Sequence, residues 1–259
     1  MTTPENWRLI ETEVLEDPFM NIAIEEAIPL AKSTGLVKEN TLRLWRNDNA
    51  VVIGRFQSLE AEVNSEFCNS HGVKVVRRFT GGGAVYHDIG NLNYALSVGD
   101  SHPKVPKDIL ESYAFLCNGI ILGLKSRFGI EASFKPLNDV AIGEAKISGT
   151  AQSRVGSVVF HHGTLLTHSN LSILAQALNV PKEKLADKGV TSVRKRVTTL
   201  EEVLGRKVTI QEAKEAMVAG FEELFGTKLK PGRLTSEEEA LARHLYETKY
   251  NTREWNNQR

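Results

Sequence analysis

The chain has 259 residues, 41% of them hydrophobic and 25% charged, which supplies a sizeable core for one large domain and excludes a disordered chain. Lys+Arg and Asp+Glu both count 32, for a formal net charge of +0, so bulk attraction to nucleic acid or to an anionic membrane has no basis here. The two cysteines form no Cys-x-x-Cys pair, which excludes a disulfide scaffold and a cysteine zinc module and fits a reducing compartment.

The opening Met1–Trp7 has no charged-then-apolar leader, and no apolar run approaches the roughly 20 residues of a membrane span. The chain therefore reads as soluble and cytoplasmic. Asp17-Pro18 followed by Ile22, Ile24, Ala27 and Leu30 predicts a capped helix, with Pro18 at a position where its missing N–H costs nothing. Thr41–Arg46 and Ala50–Ile53 predict strands separated by the turn signal Asn47-Asp48-Asn49. Val73–Arg78 is a further strand that runs into Gly81-Gly82-Gly83, and Asn93–Val98 is the next. Lys107–Phe128 has helical periodicity and Gly129 as its stop. Val140–Ser153 and Val158–Thr167 predict strand–turn–strand. Thr209 with Glu212, and Thr235 with Glu238, are capping-box pairs that open two late helices. Strands crowd the first two-thirds and helices the last third, which predicts an α+β fold in one domain over residues 1–259.

Three segments carry candidate chemistry. In Arg77-Arg78-Phe-Thr-Gly81-Gly82-Gly83-Ala84-Val85-Tyr86-His87-Asp88, the glycines let a ligand approach the main chain, and exposed amides can cradle an anion. In an extended strand Arg77 and Arg78 face opposite ways, so one of them is expected to reach the site. The same segment reads equally as a flexible turn beside a solvated basic strand. Gly143-Glu-Ala-Lys146-Ile-Ser-Gly149 holds a lysine of a kind that is more often a solvated hairpin residue. Its functional alternative is a compact cation that stabilises charge during acyl-adenylate formation and acyl transfer. His161 and His162 are adjacent on a strand and cannot both face one metal, so structural or pocket-lining roles are favoured over ligation. Asn138-Asp139 can hold a loop or position magnesium through the carboxylate. Cys117 lies in an apolar helix, and Cys68 has no activating neighbour.

In their order along the chain, six segments resemble the lipoate–protein ligase A family. They are Val52–Gln57, Arg77–Asn91, Asn138-Asp139, Lys146–Gly149, His162–Leu166 and Ser192–Val197. The resemblance extends from about Trp7 to Trp255. It implies the α+β biotin/lipoate protein ligase-like mixed sheet with flanking helices, related to class II aminoacyl-tRNA synthetases. It implies a two-step reaction in which lipoate and MgATP give lipoyl-AMP, and a lysine of a lipoyl-carrier domain then takes the acyl group. The carriers implied are the 2-oxoacid dehydrogenase E2 subunit and glycine-cleavage H protein. By the resemblance Arg78, Gly83, Ala84, Val85, Tyr86 and Lys146 bind ATP or lipoyl-AMP, with Lys146 catalytic. Gly81, Gly82, His87 and Lys146 shape the lipoyl pocket, and no protein-only metal site is expected.

Two departures qualify this expectation. Many bacterial ligases have Gly-Arg-Asn-Asp where this chain has Pro136-Leu-Asn-Asp139. Single-chain ligases also continue into a small C-terminal accessory domain, whereas this sequence stops just after Trp255-Asn256. The short form resembles archaeal-type ligases that work with a separate accessory subunit, so poor activation of lipoate by this chain alone is expected. The alternatives are an octanoyltransferase or lipoyl amidotransferase, which needs a cysteine thioester, and a non-catalytic lipoate-binding module. The cysteine positions count against the former, and retention of Lys146 against the latter. A biotin ligase is disfavoured because the chain has no Gly-Arg-Gly-Arg-type loop.

Overall fold

The computed structural model describes residues 7–179 and 196–258. Positions 192–195 of the Ser192–Val197 segment lie outside them. The strands are β1 Trp7–Ile10, β2 Asn40–Trp45, β3 Asn49–Ile53, β4 Lys74–Arg77, β5 Val85–Asp88, β6 Asn91–Gly99, β7 Ser133–Lys135, β8 Asp139–Ile142, β9 Ala145–Val155, β10 Val158–Leu166 and β11 Leu229–Gly232. The helices are α1 Pro18–Ser33, α2 Leu59–Glu62, α3 Ser65–Ser70, α4 Ile109–Phe128, α5 Leu171–Ala177, α6 Leu200–Leu204, α7 Ile210–Phe225, α8 Ser236–Leu245 and α9 Arg253–Asn256. A π-helical turn, Tyr246–Tyr250, follows α8.

Eight strands form one mixed sheet in the order β11-β1-β2-β6-β10-β9-β8-β7, and three form a second in the order β4-β3-β5. In the large sheet β1 is parallel to both β11 and β2, while the ladder from β2 through to β7 is antiparallel. The fold is α+β, as the distribution of elements predicts.

Central strands β2 and β6 are buried on both faces along almost their whole length, because each face has its own cover. On one side Leu44, Tyr94 and Leu96 pack with Leu116 and Ile120 of α4 and with Met217 and Phe221 of α7. These two helices touch backbone to backbone: a Cβ at Gly123 would lie 2.1 Å from the Ala216 carbonyl oxygen. On the other side Trp45 packs with Ile22 and Ala23 of α1 and with Val52 and Val76 of the small sheet. The space between the two sheets, beneath α1, is where the site forms.

The predicted caps are present. Asp17 accepts from the Met20 amide, with Pro18 in the first turn. Asp108 caps α4 and Gly129 ends it at φ +67°. Both capping boxes are complete. Two expectations change. The turn signal at Asn47-Asp48-Asn49 joins strands of two different sheets, and Asn49 itself begins β3; Asn47 is buried, accepting from Asn21 and donating to His87. The Val140–Ser153 stretch is two strands, β8 and β9, with Gly143 turning between them at φ +59°.

Candidate functional site: a cleft between the two sheets

A cleft with an enclosed volume of about 90 Å³ opens between the sheets. Arg78, Gly83, Ala84, Val85 and His87 line it from the small sheet and the glycine loop. Trp45, Asn93 and His162 line it from the large sheet, and Glu25 lines it from α1. Asn138, Lys146 and Gly149 form its outer part.

The alternation expected of Arg77 and Arg78 is present. Arg77 turns away and donates to the carbonyls of Gly54, Gln57, Trp255 and Asn256. Arg78 lines the cleft, and its guanidinium also braces the loop. Nε donates to Thr80 Oγ1 at 3.1 Å, and Nη2 donates to the carbonyls of Gly81 at 2.7 Å and Gly83 at 2.9 Å. Burial lowers its pKa to about 10, opposed by the nearby Glu25 carboxylate, so it keeps its charge at neutral pH. Gly82 has φ +94°. Its carbonyl sits where a Cβ on Gly54 would have to be, 2.1 Å away, so the glycine of the Val52–Gln57 segment is required by the loop's approach.

Not every loop residue faces the cleft. Ala84, Val85 and His87 do, but Gly81 and Gly82 are absent from its lining. The Tyr86 ring turns to the far face of the small sheet, among Val51, Ile53 and Cys68, with its hydroxyl donating to Asn49. Strand alternation between Val85 and Tyr86 is the reason. For Tyr86, contact with a ligand in this cleft is therefore left to the main chain.

His87 is buried, and burial together with the charge of Arg78 lowers its pKa to about 3. Its Nδ1 accepts from Asn47 Nδ2 at 3.2 Å, which assigns the proton to Nε2. That atom, Trp45 Nε1, Asn93 Nδ2 and Glu25 Oε2 are buried without a hydrogen-bond partner among the described residues. Buried polar atoms of this kind carry a free-energy cost until a ligand or ordered water pairs with them.

Lys146 is the second residue of the long strand β9, and its Nζ lies 2.7 Å from Asp139 Oδ1, with both side chains about one-third exposed (36% and 34%). Asn138 has the loop-holding role: its side chain donates to the Thr150 carbonyl, and its own carbonyl accepts from the Thr150 amide and hydroxyl. Asp139 is thereby presented to Lys146. Val197, the end of the last family-like segment, pairs with Lys146, and the Thr198 amide donates to the Lys146 carbonyl. Sequence reading alone does not bring these two segments together.

Glu25, Trp45 and Asn93 were not singled out in the sequence. Glu25 could have been found, since it stands three residues after Ile22 on the buried stripe of α1, where an unpaired carboxylate is costly. His161 and His162 face opposite ways, as expected. His161 lies on the α4 side with Tyr94 and Tyr113, its pKa lowered to about 3 chiefly by burial. His162 faces the cleft. Among the described residues no three His, Cys, Asp or Glu side chains gather into a metal-binding group. Cys68 and Cys117 are both buried and outside the cleft lining; burial raises both thiols, Cys117 to about 12. No described helix is long and apolar enough to cross a membrane.

Comparison with known proteins accords with this geometry. Residues 17–222 match the model of the lipoyl protein ligase A/B catalytic domain. Octanoyltransferase LipM of Brevibacillus brevis is 34% identical, over 97% of this chain and 99% of its own length. Lipoate-protein ligase A subunit 1 of Thermoplasma acidophilum is also 34% identical, over 96% of this chain and 95% of its own. Among solved structures, a bi-partite lipoate protein ligase of Thermoplasma acidophilum, studied with its E2 lipoyl domain, superposes with a TM-score of 0.88 at 34% identity, covering 99% of this chain and 98% of that one. A lipoate-protein ligase A bound with ATP gives 0.87 at 31% identity, covering 97% of this chain and 98% of that one. The braced glycine loop, the lysine opposite it and these full-length likenesses lead to one assignment: the chain belongs to the lipoyl protein ligase A/B catalytic domain family.

Proposed function

We propose that this chain is the catalytic large subunit of a lipoate–protein ligase, which activates lipoate with ATP and transfers it to a lysine of a lipoyl-carrier domain. The observation that carries the reading is the cleft itself, with an anion-suited loop and Lys146 facing one space and no cysteine in its lining. In the first step a lipoate carboxylate oxygen attacks the α-phosphorus of ATP, and pyrophosphate leaves with the electrons of the broken P–O bond. In the second the carrier lysine amine attacks the acyl carbon, an amide forms, AMP leaves and the amine loses a proton.

The protein contributes position and electrostatics. Gly83, Ala84 and Val85 offer main chain to the phosphate and Arg78 holds that loop in shape. Lys146 exchanges Asp139 for the acyl phosphate, where its ammonium offsets the developing negative charge. The acyl chain runs inward toward Trp45, Glu25 and His162. Asp139, the partly exposed carboxylate beside Lys146, would hold magnesium, which would offset phosphate charge. The E2 subunit and H protein are the proposed acceptors, and a separate accessory subunit the proposed partner.

Identity to octanoyltransferase LipM favours a second reading, acyl transfer without ATP. A thioester route needs an accessible thiolate, and both cysteines here are buried with raised pKa values. Pyrophosphate release from ATP, dependent on lipoate, tests the first reading. Acyl transfer from an octanoyl carrier without ATP, lost on Cys68→Ser/Cys117→Ser replacement, would establish the second instead.

A further inference from the structure

A continuous line of hydrogen bonds crosses the cleft's inner wall from α1 to the glycine loop. Glu25 Oε1 lies 3.1 Å from His162 Nδ1. His162 Nε2 lies 2.7 Å from Thr80 Oγ1, and Thr80 Oγ1 accepts from Arg78 Nε at 3.1 Å. Arg78 Nη2 then holds the carbonyls of Gly81 and Gly83. All four side chains are buried, Glu25 and Thr80 to 1% exposure.

A carboxylate only accepts, so His162 Nδ1 carries the proton toward Glu25. Thr80 Oγ1 accepts from Arg78 Nε and is also hydrogen-bonded to His162 Nε2, so one hydroxyl is shared by the guanidinium and the imidazole. Glu25, His162 and Arg78 line the cleft, whereas Thr80 is absent from the lining. It connects the wall that faces an acyl chain to the cation that shapes the anion loop.

We propose that Thr80 is a positioning residue that couples the acyl-facing wall to the glycine loop, so that a ligand seated against Glu25 and His162 sets the loop for nucleotide. The coupling rests on the ligase reading above. Its mechanism is mechanical: His162 and Arg78 share one hydroxyl at 2.7 and 3.1 Å, so a shift of the imidazole is passed to the guanidinium and on to the Gly81 and Gly83 carbonyls. By linkage, the nucleotide must then raise lipoate affinity by the same factor as lipoate raises nucleotide affinity.

Isothermal titration of the full chain with a non-hydrolysable ATP analogue, with and without saturating lipoate, reads this factor directly. Lipoate is expected to tighten nucleotide binding on the order of ten-fold, within the usual span of allosteric coupling. Thr80→Val, which keeps shape and removes the hydroxyl, should bring the factor close to one, and Thr80→Ser should restore it. A Thr80→Val chain that keeps the wild-type factor overturns the coupling alone, as does a wild-type chain that binds both ligands independently. If Thr80→Val does not fold, Thr80→Ser and Thr80→Cys decide: a factor that is the same in both overturns the coupling, and one that falls only in the weakly hydrogen-bonding thiol supports it. A chain that binds lipoate but no nucleotide overturns the ligase reading and the coupling with it.

Discussion

Lys146 meets Asp139 across a partly solvated contact, and exposed ion pairs of this kind contribute about 1 kcal/mol or less. Releasing the ammonium to an acyl phosphate is therefore cheap, while an interaction made mainly in the transition state is large. Lys146→Ala should lower kcat for lipoate-dependent pyrophosphate release by roughly 10²–10³, the scale of losing one electrostatic stabiliser, with little change in the denaturation midpoint. The buried histidines act on stability instead. His87 and His161 both titrate near 3 when folded and near 6.5 when unfolded, so the unfolded chain binds more protons between those values. Stability is then complete above about pH 6.5 and falls as pH drops toward 3, by up to about 1.4 kcal/mol per pH unit for each histidine. Urea midpoints at pH 5 and 7 check this, and His161→Asn should flatten the slope. At this scale strand alternation is enough to separate Arg78 from Arg77, whereas Lys146 stands out only through the family resemblance, because a lysine among glycines reads more often as a solvated hairpin residue. Glu25 was passed over because a single carboxylate on an apolar stripe does not disclose what it faces.

Elements position these residues through close backbone contacts. The glycine loop lies against Gly54 at the end of β3, where a methyl group would meet the Gly82 carbonyl oxygen at 2.1 Å. Gly54→Ala should displace the loop and weaken nucleotide binding at least ten-fold by titration, with lipoate binding changed much less. The α4–α7 contact is structural: Gly123→Ala should cost about 3 kcal/mol, the upper range for overpacking a close-packed interior, seen as a lower denaturation midpoint with ligand affinities retained in the folded fraction. Helix caps and their glycine stops were readable from local chemistry, since each is decided within a few residues. Strands β1 and β11 were not, because Trp7 pairs with Leu229 and nothing near either residue announces a partner so distant in sequence. The turn signal at Asn47-Asp48 does not disclose the change of sheet between β2 and β3, which is a tertiary choice.

Across the molecule, two sheets stacked under α1 leave a cleft whose polar groups come from α1, both sheets and the β7–β8 connection. Its construction explains why the ordered segments of the sequence are scattered: they converge only when the small sheet folds over the large one. The separation of the two cysteines from that cleft carries the distinction between the two readings of function. The Cys68→Ser/Cys117→Ser protein should therefore be less stable, by a few degrees in Tm, yet keep its acyl-transfer rate per folded molecule. The most direct measurement is mass spectrometry of an apo-lipoyl domain incubated with lipoate, ATP and the full chain, wild type or cysteine-free, with and without a candidate accessory subunit. A lipoyl mass increment that requires ATP, survives removal of both cysteines and grows when the second subunit is added is the predicted result. An acyl increment that forms without ATP and disappears with the cysteines would contradict the account.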